Sequence, residues 1–432
     1  MTKASLISLW VALGLCMGET MAEDGDEAKL FERAERVIDT VRQAELRIAL
    51  QGPGDKPLEG YKLKVRLVRH EFLFGAAIAL RAGPVGAQEK AYRKAFASLF
   101  NYATTENIMK WKPLEPERGK YRWDRVDRTL DWCTSNGIEL KSHCLIWGTR
   151  TQGVPDWLSG TTRADVLARM KEHIDVVMQR YRGRIRYYDV VNEPLHCHVF
   201  DRIAGADHLD KVMRYARNAD PDAYLIINEY NLIARPAERK RFIALVRHLL
   251  AEGTPIDGIG IQAHSPGTTW HSPCAVVETL DDLAALGKDL HVTELTLKTE
   301  GEDITGGYRK GKWTEKAHAE YYRQLYTLCF GHPNVKAITM WAVFDSRSWL
   351  PGGGIFDRDG RPKAVAETVE KLIKKTWHTE KELRTDKQGT AGLRGFKGTY
   401  EVEVISPSGK SVMSTRLQLG PAASGEARIR VP

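Results

Sequence analysis

Two glutamates have the residue type and the setting for acid–base or nucleophilic chemistry. Glu193 closes the run Asp189-Val190-Val191-Asn192-Glu193, and Glu294 closes His291-Val292-Thr293-Glu294. Each carboxylate follows an apolar, β-branched stretch, the mark of a buried strand that delivers its last residues to one end of a sheet. Comparable stretches end on Glu106, on His143 to Trp147, on Asn228 to Tyr230, on Gln262 and His264, and on Trp341. Any one polar strand end serves as readily to cap a loop. Carboxylates, amides, imidazoles and indoles recurring at successive strand ends describe instead a polar cleft with aromatic walls. Such a cleft suits a hydroxyl-rich ring, which offers hydrogen bonds at its edge and C–H groups on its faces. Two carboxylates facing across it meet the demand of glycosidic bond cleavage. One acid protonates the departing oxygen, and one carboxylate attacks or activates water. A structural role, each Glu paired with a neighbouring Arg, is the competing reading; two acids in register favour chemistry.

The elements that must position these residues form a repeating series. Apolar runs begin near Glu71, Asn101, Ile138, Ile185, Ala223, Gly258, Asp289 and Lys336, each with room for a helix before the next. After Thr162, the residues Leu167, Met170, Ile174, Val177, Met178 and Tyr181 recur at three- and four-residue steps, one apolar stripe with His173 packed or solvated beside it. Pro236 to Leu250 and Thr314 to Phe330 repeat that periodicity, with Gly253 and Gly331 at the exits. The series predicts an α/β protein, a (β/α)₈ TIM barrel over residues 71–377. An open doubly wound sheet usually announces itself by a Gly-rich first turn, and none follows the first strand here. In a barrel all strand ends open onto one pocket, and the fourth and seventh, which carry Glu193 and Glu294, lie across its mouth.

The flanks have a different pattern. Residues 23–70 read as a β-rich flank, with strands at Arg47 to Leu50 and Lys62 to Val68 around a Gly/Pro turn, and residues 378–432 as a β-rich C-terminal segment. Neither has enough strands for a stable sheet alone, so the two are expected to pair into one small module beside the barrel. Tyr400, Val402 and Val404 alternate with Glu401 and Glu403, implying one buried face. With only Tyr61 and Tyr400 as evident sugar-stacking aromatics, a structural clasp is favoured over a carbohydrate-binding module.

Composition bounds the remaining classes. Of 432 residues, 42% are apolar and 28% charged, with Lys+Arg 64 against Asp+Glu 56 for a formal charge of +8. That is the balance of an ordinary globular protein, and it excludes disorder or low complexity for the bulk of the chain. The positive charge is spread rather than massed, which speaks against nucleic acid as a partner. Lys3, an apolar run from Ala4 to Gly18 and the small residues before Glu23 describe a secretory signal peptide over residues 1–22. The run is short of the ~20 residues of a spanning helix, so no membrane span is expected. A secreted or periplasmic protein follows. Cys133, Cys144, Cys197, Cys274 and Cys329 contain no C-x-x-C pair, which indicates free thiols rather than a zinc or redox site and leaves one disulfide open. A monomer is the default.

Several of these segments together resemble one family, the glycoside hydrolase family 10 endo-β-1,4-xylanases. Thr105-Glu106-Asn107-Ile108-Met109-Lys110-Trp111 is similar to the family's second-strand motif, and Glu115-Pro116-Glu117-Arg118-Gly119 to the turn after it. His143 with Leu145, Ile146 and Trp147 resembles the third strand, Asn192-Glu193-Pro194 the fourth, and Asn228-Glu229-Tyr230-Asn231 the fifth, with Glu where Asp is usual. Gly260-Ile261-Gln262-Ala263-His264, Thr293-Glu294-Leu295 and Trp341 through Asp345 to Trp349 resemble the sixth, seventh and eighth.

The resemblance implies a retaining endo-β-1,4-xylanase acting on xylan or xylo-oligosaccharides, with Glu294 as nucleophile and Glu193 as acid/base. It further implies that Asn192 binds the 2-hydroxyl of the reacting sugar and that Glu106, Asn107 and Lys110 hold the sugar two places before the cleaved bond. His143, Tyr230, Gln262 and His264 complete the polar edge, and Trp147, Trp341 and Trp349 the walls. This chemistry requires no metal and no organic cofactor. Two departures bear on the site. Gly148-Thr149-Arg150 follows Trp147 where the family usually has His, and Thr296 stands where it commonly has an Asp partner for the histidine at His264. Related readings are a β-glycanase or an exo-acting xylosidase on the same barrel; a catalytically weak carbohydrate-binding protein is the reading from another class.

Overall fold

A computed structural model describes residues 24–160, 162–420 and 425–432, so the signal peptide expected over residues 1–22 lies outside the described residues. Strands β1 (Gln43–Gln51) and β2 (Lys62–His70) come first. They are followed by β3 (Leu73–Ile78), β4 (Tyr102–Thr105), β5 (Glu139–Trp147), β6 (Tyr187–Asn192), β7 (Tyr224–Glu229) and β8 (Gly258–Ile261). A two-residue β9 (His264–Ser265), then β10 (Asp289–Leu297) and β11 (Val335–Met340), complete the central sheet. The chain ends in β12 (Glu380–Arg384), β13 (Thr390–Phe396), β14 (Gly398–Ile405), β15 (Ser411–Leu419) and β16 (Glu426–Arg430).

β3 to β8, β10 and β11 pair in parallel, and β11 returns to β3 through Ala337↔Leu73 to Met340↔Ala76, which closes the eight-stranded barrel. Helices cover its outer face, so β3 is buried along its whole length; this is why its sequence, Leu73 to Ile78, is apolar without alternation. The helix Arg163–Tyr181 starts on a capping box in which Thr162 and Asp165 satisfy each other's backbone N–H groups. Its buried stripe includes Met170, Ile174, Val177 and Tyr181. His173 belongs to that stripe, stacked on Trp111 at 4.5 Å, and is packed rather than solvated. Pro236–Ala251 and Glu315–Phe330 are the other helices expected from periodicity. Among the described residues no helix is long and apolar enough to cross a membrane. Cys133, Cys144, Cys197 and Cys329 are free thiols.

The flanking strands of the two ends are interleaved. β1 lies between antiparallel β13 (Leu46↔Leu393) and parallel β16 (Leu50↔Ile429). β2 lies between β12 (Leu63↔Leu383) and β14 (Val65↔Val402). Leu46, Ile48, Leu63, Val65, Tyr400, Val402 and Val404 are buried, as their alternation requires. The Tyr400 hydroxyl donates to the Phe396 carbonyl at 2.6 Å, so its ring is core and unavailable for stacking on a sugar.

One element departs from expectation. The segment expected to be β-rich opens with a helix, Asp24–Arg42. Ala34 and Ile38 bury one face, in the spacing of a helical stripe that runs on from Phe31. Arg42 at its end is buried and donates to the carbonyls of Phe330 at 2.8 Å and His332 at 2.6 Å. Arg33 grips the Asp281 carboxylate with both nitrogens at 2.7 and 2.8 Å, tying the helix to the barrel wall.

Candidate active site

Glu294 lies in β10, buried beneath the mouth of the barrel. One carboxylate oxygen accepts from Asn228 Nδ2 at 2.8 Å and the other faces His264 Nε2 at 3.1 Å. Burial pushes its pKa up, but the neighbouring His143 and the His264 hydrogen bond outweigh burial and hold the carboxyl below its ordinary range. The group is therefore an anion at neutral pH.

Glu193 directly follows β6. Its φ of 56° lies in the left-handed region, where a non-glycine residue costs on the order of 1–3 kcal/mol. The strain is held by its own N–H, which donates to the Asn228 carbonyl at 2.8 Å. Three donors converge on the carboxylate. Trp147 Nε1 reaches one oxygen at 2.8 Å and the Cys197 thiol the same oxygen at 3.3 Å, while Gln262 Nε2 reaches the other at 3.0 Å.

A chain of amides joins the two acids. Asn228 Nδ2 donates to Asn192 Oδ1 at 2.8 Å as well as to Glu294, and Gln262 Nε2 lies 3.3 Å from the same Asn192 oxygen. With its oxygen thus occupied, Asn192 offers N–H groups to a ligand. Thr293 fixes the orientation of Asn228 by donating to Asn228 Oδ1 at 2.7 Å. That oxygen lies 2.3 Å from where a Cβ on residue 260 would stand, so only glycine fits at Gly260.

The polar edge is built from β4 and β5. Lys110 donates to Asn107 Oδ1 at 2.8 Å and sits 4.9 Å over the Trp147 ring. Burial pushes Glu106 up, partly opposed by Lys110 and Asn107. His143 places Nδ1 at 2.8 Å from Asp189, whose carboxylate also accepts from the buried Lys141 at 2.7 Å. Trp341 meets His143 edge-on at 5.0 Å, and Trp349, 53% exposed, meets His264 at 5.1 Å.

All thirteen residues singled out from sequence line one cleft of ≈ 560 Å³: Glu106, Asn107, Lys110, His143, Trp147, Asn192, Glu193, Tyr230, Gln262, His264, Glu294, Trp341 and Trp349. Thr151, Gln152, Asn231 and Pro266 line it too and were not foreseen. Asn228 was named as a strand end, whereas the supporting residues Lys141, Asp189 and Cys197 were not foreseen. Asn228 gave the same signal as Asn192, an amide closing an apolar strand; the others are recognisable only once strands are adjacent. Among the described residues, no group of three or more His, Cys, Asp and Glu side chains is arranged to hold a metal ion.

Both departures have a local structural setting. A Cβ at Gly148 would lie 2.0 Å from the Cys197 carbonyl oxygen, so the chain after Trp147 passes too close to the Glu193 loop for any side chain. Thr296 pairs with His264 in the β9–β10 register, yet its hydroxyl and His264 Nδ1 are both buried without a hydrogen-bond partner among the described residues.

Comparison with known proteins places this site in context. Residues 65–372 match the family described as glycosyl hydrolase family 10. Endo-1,4-beta-xylanase B of Thermotoga neapolitana is 30% identical over 296 residues, 64% of this chain and 82% of that protein. Endo-1,4-beta-xylanase 1 of Arabidopsis thaliana is 26% identical over 393 residues, 90% of this chain but 39% of that protein. Among solved structures, xylanase 10B from Thermotoga petrophila RKU-1 in complex with xylobiose superposes with a TM-score of 0.62 at 27% identity, covering 71% of this chain and 95% of that one.

Proposed function

This chain belongs to glycosyl hydrolase family 10 and is a glycoside hydrolase, and from that premise we propose that it is a secreted, retaining endo-β-1,4-xylanase. The observation that carries the proposal is the pair Glu193 and Glu294 in one cleft, coupled through Gln262, Asn192 and Asn228. The names of its relatives supply the substrate class, and the sequence of residues 1–22 supports export.

In this mechanism Glu294, kept ionised by His143 and His264, attacks the anomeric carbon while Glu193 protonates the departing oxygen. Asn192 donates to the 2-hydroxyl, a bond that strengthens as positive charge grows on the ring. After the first sugar leaves, Glu193 takes a proton from water, which then releases the glycosyl group from Glu294. The donors from Trp147 and Gln262 fix the Glu193 carboxyl in place for both steps.

The test is a polysaccharide panel with products resolved by size, and with the first-formed anomer followed by NMR. Internal cleavage of xylan with β-anomer formed first is the expected result. Release of single xylose units would indicate an exo-acting enzyme, preference for another β-glycan would change the substrate, and an α-anomer would remove the double displacement. No turnover of an aryl xylobioside would leave only sugar binding.

A further inference from the structure

We propose that His196, clamped between two carboxylates behind Tyr230, is a positioning residue that holds the Tyr230 ring as the platform for the sugar released on the Glu193 side of the cleft. The inference rests on the glycosidase reading above and deepens it.

His196 lies three residues after Glu193, outside the cleft lining. Its Nδ1 is 2.9 Å from Glu229 Oε1 and its Nε2 is 3.1 Å from Glu238 Oε2. Both ring nitrogens are therefore engaged by carboxyl oxygens, and the ring is fixed at each end. Glu229 is fully buried and also accepts the backbone N–H groups of Leu195 and Tyr230, each at 2.8 Å. One carboxylate thereby ties the loop that carries Glu193 to the end of the strand that leads into Tyr230. Glu238, in the first turn of the helix Pro236–Ala251, additionally accepts from Asn231 Nδ2 at 3.1 Å.

The face of the His196 ring is covered by Tyr230. The two rings stack with centroids 4.0 Å apart and planes inclined by 27°. A ring held at both nitrogens and packed on the phenol face opposes rotation of the phenol. Tyr230 lines the cleft together with Glu193. The sugar that leaves with the protonated oxygen must lie beside Glu193, whereas Glu106, Asn107 and Lys110 occupy the wall built from β4, across the barrel from β7. The rigid phenol ring is thus on the departing side, where a pyranose C–H face can rest on it.

A bare structural role for the ion pairs would affect every substrate alike; a platform affects only those whose leaving group is a sugar. The test compares xylohexaose with β-xylobiosyl fluoride, whose leaving group needs neither platform nor protonation. For His196→Ala and Glu238→Gln, kcat/KM on xylohexaose should fall at least tenfold, mostly through KM, and change less than twofold on the fluoride. His196→Gln, which can donate to only one carboxylate, should be intermediate. Equal losses on both substrates, or no loss on either in both His196→Ala and Glu238→Gln, would overturn the proposal. Failure of the unaltered enzyme to cleave xylohexaose is a separate result that would remove the xylanase reading itself.

Discussion

Asn228 and Glu294 are joined by a 2.8 Å hydrogen bond in which a neutral amide, itself oriented by Thr293, donates to the buried carboxylate. The same nitrogen holds Asn192, so one side chain sets both the Glu294 carboxylate and the Asn192 amide. Asn228→Ala should lower kcat/KM by roughly 10²-fold, the usual effect of losing one preorganised donor.

Asn228→Asp separates geometry from charge. Glu294 sits below its ordinary range, so its activity persists as pH falls until that depressed value is reached. A second carboxylate at position 228 disfavours the anion and raises the pKa of Glu294. The acid limb of the kcat/KM profile should therefore move to higher pH in Asn228→Asp. A limb unchanged while activity falls would mean that the amide acts on Asn192 alone.

The two acids should differ in how they fail. Glu294→Ala removes the nucleophile, and no substrate should turn over. Glu193→Ala should still release a good aryl leaving group in a burst and then stall, and added azide should restore turnover with a β-azide product. Reversed behaviour would exchange the assigned roles.

The interleaved flanks should behave as a clasp. Leu63 is fully buried in β2 opposite Leu383 and Val404. Leu63→Ala should cost about 2–5 kcal/mol and lower Tm, while kcat/KM on a soluble aryl xylobioside stays within twofold. Deleting everything after Leu383 should lower Tm further. Unchanged stability with lost binding to insoluble xylan would favour a carbohydrate-binding module instead.

Much of the barrel was legible because its strands are covered on both faces, which forces apolar runs such as Leu73 to Ile78 and leaves polar residues only at their ends. The same logic exposed the cleft. What the sequence could not carry is adjacency between distant segments. Nothing local says that Cys197 reaches the Glu193 carboxylate, that Gly148 must yield to the Cys197 carbonyl, or that Asp189 joins Lys141 to His143. The helix Asp24–Arg42 was legible in principle, since Phe31, Ala34 and Ile38 keep helical spacing. The strands after it set the expectation for the whole flank.

The pairing of β1 with β13 and β16 also constrains when the molecule can be finished. During synthesis β1 and β2 emerge first, but their neighbours are made only after the entire barrel. At about 5–20 residues per second, that gap lasts on the order of tens of seconds. Through that interval Ile48 and Val65 lack their covering strands, and both edges of each strand are open to wrong pairing. The two flanks can therefore pair with each other only once every strand of the barrel has been made.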